Sequence, residues 1–300
     1  MIRFADPKND VAFRKIFGNE QHKEILISFL NAVLGLSGSY EIDDITILNP
    51  YQAPKIELLK ESILDVRARN KLGVTFIVEM QVARLPHIRK RFTYYLSKTY
   101  ASQIARGDDY PKLNQVIFIG ILDFNEFEGE DFLTKHLLLN TSTFKQELKD
   151  LEFNFIELPK FNKKEVELVD ILDKWIFFIK NAGDLAIAPN TEMEKALQSA
   201  YEVANQFTWT SDEMDAYELR GIRIQDERGA RELAYREGRQ EGIQEGRQEG
   251  IQEGRQEGRQ EGERLAKLQI AQTLLANGMS LAEVARMIQW DLAALEAALV

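Results

Sequence analysis

Apolar residues recur at helical spacing near the start of the chain. Val11, Phe13, Ile16 and Phe17 form one stripe, and Asn9 or Asp10 can cap it. A second stripe of Ile25, Leu26, Phe29, Leu30 and Val33 predicts a helix over 24–34, ended by Gly35. The period then shortens to strand-like runs at 42–48, 62–69 and 74–82. Asn70-Lys71-Leu72-Gly73 separates the last two and carries turn residues, so the pair reads as a hairpin. After Pro86 a helical pattern returns and runs to about Arg106. Residues 115–124 form a continuous apolar run rich in Ile and Val, the composition of a buried central strand. Segments 137–139 and 153–158 are candidate edge strands. From 163 to about 220 the pattern is helical, with Trp175 and Phe178 on one face.

The chain changes character at residue 236. Through residue 263 it repeats every four residues as Gln-Glu-Gly-Arg or Gln-Glu-Gly-Ile, with glycine at 238, 242, 246, 250, 254, 258 and 262. In a helix these seven glycines cost about 7 kcal/mol relative to alanine. Each Glu also meets another Glu four residues on. If the segment is helical, the Glu row and the Arg/Ile row lie on nearly opposite sides, and each row drifts about 40° per repeat. Rows of glycine allow close helix approach, so homo-oligomerisation through the C-terminal helical region is one expectation. A solvated linker is the other. Residues 265–300 have a helix-turn-helix-like layout: Leu268, Ala271, Leu274 and Leu275 form a face, Asn277-Gly278 a stop, and Ser280-Leu281-Ala282-Glu283 a capping box. Leu281 and Ala282 sit where base reading in the major groove needs Arg, Asn or Gln, which favours a packing or dimer cap over DNA targeting.

Composition narrows the chemistry. There is no cysteine among the 300 residues, which removes disulfides, thiolate zinc sites and cysteine nucleophiles together and fits a reducing cytoplasm. His22, His87 and His136 have no ligand-like spacing. The first residues do not form a secretory signal, and no apolar run is long enough to span a bilayer, so a cytoplasmic protein with no membrane partner is expected. The net charge of −10 argues against general nucleic-acid binding. The charge is uneven, however. Residues 80–107 contain no Asp or Glu but include Arg84, Arg89, Lys90, Arg91, Lys98 and Arg106. A basic face inside an acidic chain suits a DNA-binding cleft. Arg84, Arg91, Tyr95 and Lys98 fall near one stripe, as phosphate contacts with Tyr95 packed on the sugar–phosphate backbone, or as an ordinary amphipathic helix. Tyr94 and Tyr100 are expected in the core.

Within the hairpin, Asp65 reads as mid-strand, with Leu64 and Val66 on one face and Asp65 and Arg67 on the other. Glu79 and Gln81 share a face on the partner strand, so pairing can bring all three together. Two carboxylates in contact repel unless a cation lies between them. Oxygen donors without Cys or His favour Mg²⁺ or Mn²⁺. Asp65, Glu79 and the carbonyl of Met80 are the candidate metal ligands, and Gln81 would orient a water without acting as a base. On spacing alone, an Asp and a Glu on neighbouring strands also describe a plain solvated face.

Several motifs occur in order: Asp6-Pro7-Lys8-Asn9-Asp10-Val11-Ala12-Phe13-Arg14-Lys15-Ile16-Phe17-Gly18, Phe29-Leu30-Asn31, Asp65, Val78-Glu79-Met80-Gln81, Lys90-Arg91-Phe92-Thr93-Tyr94-Tyr95 and Glu157-Leu158-Pro159-Lys160-Phe161. This combination resembles the Rpn family of recombination-promoting nucleases and transposase-like proteins, within the PD-(D/E)xK nuclease superfamily. The resemblance implies an α/β fold with a restriction-endonuclease-like αβββαβ core, a mixed sheet flanked by helices, and an all-helical C-terminal extension. It implies a metal-dependent DNA endonuclease associated with recombination, with Asp65 as first acid, Glu79 as second, and Asp10 or Glu24 as candidates for an extra helix-borne acid. Gln81 stands where the superfamily usually has lysine, and it carries no charge to lower the pKa of water. The expected division is a nuclease-like core over 1–160, a helical extension over 161–235, the repeat over 236–263 and the terminal helices over 264–300.

Overall fold

The computed structural model describes residues 4–52, 62–189 and 194–299. They fall into two compact units, Met1–Arg228 and Gly229–Val300. In the first unit, α1 (Asp10–Phe17) and α2 (Lys23–Leu34) precede a six-stranded mixed sheet. Its strands are β1 (Ile45–Ile47), β4 (Val66–Asn70), β5 (Thr75–Gln81), β6 (Val116–Leu122), β7 (Leu133–Leu137) and β8 (Leu151–Glu157), in the order β1-β4-β5-β6-β8-β7. A short pair, β2 (Tyr51–Gln52) and β3 (Ser62–Ile63), stands apart. The antiparallel run β1-β4-β5 is followed by α3 (Ile88–Ala101), which provides the crossover that parallel pairing of β5 with β6 requires. This is the αβββαβ order and a mixed α/β sheet flanked by helices.

Side-chain alternation sorts the sheet into two packed faces. Val66, Ala68, Phe76, Val78, Met80, Ile117, Ile119 and Ile121 join α1 and α2 in the larger core. To the same core, α4 (Ile171–Asn181) and α5 (Lys195–Ala204) contribute Trp175, Phe178, Ala200 and Tyr201. The division anticipated at residue 160 therefore falls inside one unit. Ile77, Val116, Phe118, Leu122 and Phe155 face the other way, onto Ile88, Phe92, Tyr95 and Leu96 of α3. Glu79 alternates with Val78 and Met80, so the strand directs its side chain toward the α3 face.

The hairpin turn forms where the sequence places it. Asn70 Oδ1 accepts from the amides of Leu72 and Val74, and Gly73 takes φ +85°. The strand before it is shorter than 62–69, because the chain breaks at Leu64 and Asp65. Leu64 joins the α3-side core and Val66 the opposite one, so the expectation that both share a face is corrected. An uninterrupted strand would have kept them together; the bend between β3 and β4 shifts the alternation.

The long helix α6 (Ser211–Ala276) contains the whole four-residue repeat, which is therefore helical and not an irregular linker. In the second unit, α7 (Leu281–Met287) and α8 (Leu292–Leu299) pack on Ala271 through Val284, Ala285, Ile288 and Leu295. Ser280 and Glu283 form the capping box of α7. No described helix is long and apolar enough to cross a membrane.

Candidate metal centre

The bend just before β4 and the end of β5 place Asp65 directly opposite Glu79. Val66 pairs with Val78, and the antiparallel register carried back one residue sets the two acids side by side. They are clasped through the backbone: the Asp65 N–H donates to Glu79 Oε1 at 3.2 Å, and the Met80 N–H donates to Asp65 Oδ2 at 2.9 Å. Gln81 Nε2 donates to Glu79 Oε2 at 3.2 Å. Asp65 is 8% exposed and Glu79 1%. Asp65, Glu79, Met80 and Gln81 thus converge.

A fourth side chain enters from α1. Arg14 Nη2 donates to Asp65 Oδ1 at 3.0 Å. Sequence pattern does not mark Arg14, because the contact spans 51 residues and α1 is amphipathic for ordinary packing reasons. The available signal was its place one helical turn after Asp10. Asp10 itself is bound by Arg220 Nε at 2.8 Å and lies 3.9 Å from Arg14. It therefore sits beside the centre with its charge engaged by arginine. Glu24, the other candidate acid, pairs with His22 on the surface.

The two carboxyls are electrostatically strained. Burial raises the Asp65 carboxyl above the ordinary carboxylate range, opposed by the Met80 amide and by Arg14. Burial and then the charge of Asp65 hold Glu79 well above that range, opposed by Arg91. Among the described residues Glu79 forms no salt bridge. Other buried acids differ: Glu157 pairs with Lys160 at 2.6 Å, and Asp173 with Lys163 at 2.7 Å. A buried carboxylate with a like-charged neighbour and no paired cation is the arrangement that a divalent ion would relieve.

Among the described residues no three His, Cys, Asp or Glu side chains converge in a metal-binding group. The oxygens that Asp65 and Glu79 offer would suit a hard divalent cation such as Mg²⁺ or Mn²⁺.

The α3 residues divide. Arg91 Nε donates to the Tyr95 hydroxyl at 2.7 Å, and its guanidinium lies 5.2 Å from the Tyr95 ring centroid. Its charge reaches Glu79, so Arg91 borders the centre. Tyr95 is 9% exposed, packed against the sheet, which corrects the expectation that its ring is free to lie on a sugar. Tyr94 is the exposed tyrosine instead, with Lys98 5.8 Å from its ring centroid. Helical phase explains the exchange: Tyr95 follows Phe92 and Leu96 onto the sheet, and Tyr94 turns outward. Arg84 donates from Nε to Glu126 at 2.8 Å, as does Arg89 at 2.6 Å, so both are drawn to a buried acid on the α3 flank.

No curated protein and no solved structure matches the chain significantly. A family model described as PD-(D/E)XK nuclease family transposase matches residues 7–233, spanning α1 through the first part of α6 and including Asp65 and Glu79. The chain belongs to the PD-(D/E)XK nuclease family transposases.

Proposed function

We propose that this chain is a divalent-metal-dependent DNA endonuclease that hydrolyses phosphodiester bonds, in recombination or the movement of mobile elements. The observation that carries the reading is the buried, mutually clasped pair Asp65 and Glu79, with no salt bridge to Glu79 among the described residues. Family membership supports it.

In this reading Asp65, Glu79 and the Met80 carbonyl would hold Mg²⁺ or Mn²⁺. The chemistry such an ion supplies when bound is polarisation of a phosphate oxygen and acidification of water. The protein does the rest. The Asp65 and Met80 amides fix both carboxylates before substrate arrives, so no reorganisation is needed during reaction. Gln81 is held by Glu79 and can orient a water by hydrogen bonding, but has no titratable proton to exchange. Arg91, braced by Tyr95, offers a guanidinium to a phosphate beside the pair. Lys98 and Arg84 contribute positive charge along the same helix and its approach. Self-association of the exposed repeat helix belongs to the same proposal. Sedimentation of the full chain should give more than a monomer mass, and a monomer at every concentration would remove that part.

The test is nicking of supercoiled plasmid with Mg²⁺ or Mn²⁺ by wild type, Asp65→Asn and Glu79→Gln. Cutting by wild type and loss in both variants is expected. Equal activity in all three removes the assignment. One observation favours a second reading, a non-cutting DNA-binding module on the same fold: every oxygen of Asp65 and Glu79 already accepts from a protein donor, and position 81 is neutral. Salt-dependent DNA binding without nicking at any metal concentration would select it.

A further inference from the structure

The site has two acids, Asp65 just before β4 and Glu79 on β5, and among the described residues neither Arg67 nor Arg69 of β4 forms a salt bridge with them. We propose that Arg14 supplies the positive charge that position 81 lacks, acting through Asp65 as a positioning residue. This inference rests on the nuclease reading above.

Three relationships carry it. Arg14 Nη2 reaches Asp65 Oδ1 at 3.0 Å, while the other Asp65 oxygen is taken by the Met80 amide. The carboxylate is thereby held at both oxygens, one by a charge and one by the backbone. The Asp65 N–H in turn donates to Glu79 Oε1 at 3.2 Å, so a group that fixes Asp65 also bears on its partner acid. Finally, Arg14 is itself steered. Asp10 lies one turn earlier on α1, 3.9 Å from Nη2, and its other oxygen is bound by Arg220 at 2.8 Å. Asp10 thus bridges two arginines, and α1 aims Arg14 at the centre from the side opposite Arg91.

Charge balance explains the need for such a group. An anionic phosphodiester approaching two carboxylates meets repulsion that Gln81 cannot offset. Arg14 is 42% exposed, so its guanidinium is not enclosed by the acids it touches. A guanidinium does not give up its proton, so Arg14 cannot be a base. Its contribution is a fixed charge, hydrogen-bonded to Asp65, that holds that carboxylate in place.

The experiment compares wild type, Arg14→Gln, Arg14→Lys and the double variant Arg14→Gln/Gln81→Lys, all as full chains. Single-turnover plasmid cutting at saturating Mg²⁺ is one readout, and calorimetric Mn²⁺ affinity without DNA is the other. Removing a preorganised charge should slow cutting by about 100-fold in Arg14→Gln. Arg14→Lys should stay within about tenfold of wild type, one tenfold step being about 1.4 kcal/mol. The double variant should recover at least about tenfold of the loss, because lysine at 81 returns the charge from the other side. Mn²⁺ should bind Arg14→Gln more tightly than wild type, since a competing cation has left Asp65. The proposal is overturned if wild type cuts and Arg14→Gln cuts equally well. It is also overturned if lysine at neither 14 nor 81 restores activity, or if Mn²⁺ affinity is unchanged or weaker. A wild type that never cuts removes the nuclease reading and this inference with it, a result distinct from the others.

Discussion

Asp65 gives its backbone N–H to Glu79 Oε1 across the hairpin at 3.2 Å, so the first acid holds the second in place while its own charge opposes the second's ionisation. The Glu79 proton is bound more tightly in the folded chain than in the unfolded one. Stability from this group is complete below the ordinary carboxylate range and is lost as pH rises through the higher folded value. Metal-free Glu79→Gln should therefore be more stable than wild type at pH 7, by on the order of 1 kcal/mol, or about 2–4 °C in Tm. The amide keeps an oxygen for the Asp65 N–H, and it removes the buried charge. Thermal melts at pH 5 and pH 7 check this: the advantage should shrink at pH 5, and an equal advantage at both would contradict it. Adding Mn²⁺ should raise the Tm of wild type and leave that of Glu79→Gln nearly unchanged.

Gly120 lies beside Glu79 in the β5–β6 register and beside Phe155 in the β6–β8 register. A Cβ at 120 would stand 2.8 Å from the Phe155 ring, which is packed against Phe92, Phe118 and Phe127. Gly120→Ala should cost about 1–3 kcal/mol through overpacking, read as a lower urea midpoint with unchanged m-value. A neutral effect would mean that the aromatic cluster repacks.

The legible parts of the fold were local. The stripe of α2, the turn residues Asn70 and Gly73 and the apolar run of β6 each state their element without help from distant residues. The αβββαβ order came from the resemblance. What the sequence left hidden depends on residues far apart. Arg14 meets Asp65 only after α1 docks on the sheet, and Asp10 meets Arg220 only when α6 returns to α1. The break at Leu64–Asp65 has no Gly or Pro to announce it, so strand alternation places Leu64 with Val66 whereas it packs on the α3 side. Tyr94 and Tyr95 are adjacent, and small shifts in helical phase decide which is buried.

Asn9 shows how the N-terminal motif ties the unit together. Its Oδ1 caps α1 by accepting from Val11, and its Nδ2 donates to the carbonyl of Tyr217 in α6. Asn9→Ala should cost about 1–2 kcal/mol from the cap, with a smaller further penalty from the lost Asn9–Tyr217 hydrogen bond. Asn9→Asp keeps the cap but sets a carboxylate against that carbonyl, so it should recover only part of the loss. Full recovery in chemical denaturation would show that the link to α6 contributes nothing.

The repeat helix is exposed along its length, and a Cβ at Gly242, Gly246 or Gly250 would meet nothing within 4 Å. Replacing Gly242, Gly246 and Gly250 with alanine should add about 3 kcal/mol to that helix. In the full chain the 222 nm ellipticity should persist to higher temperature, while the near-UV transition of buried Trp175 stays fixed. A shift in both signals would mean that the repeat and the globular unit melt together.

The proposed sharing of one ion by Asp65 and Glu79 is tested most directly by anomalous scattering from crystals grown in Mn²⁺. The prediction is a peak within bonding distance of one oxygen each from Asp65 and Glu79 and of the Met80 carbonyl, lost in Glu79→Gln. Saturating Mn²⁺ with no peak between those two carboxylates would contradict it.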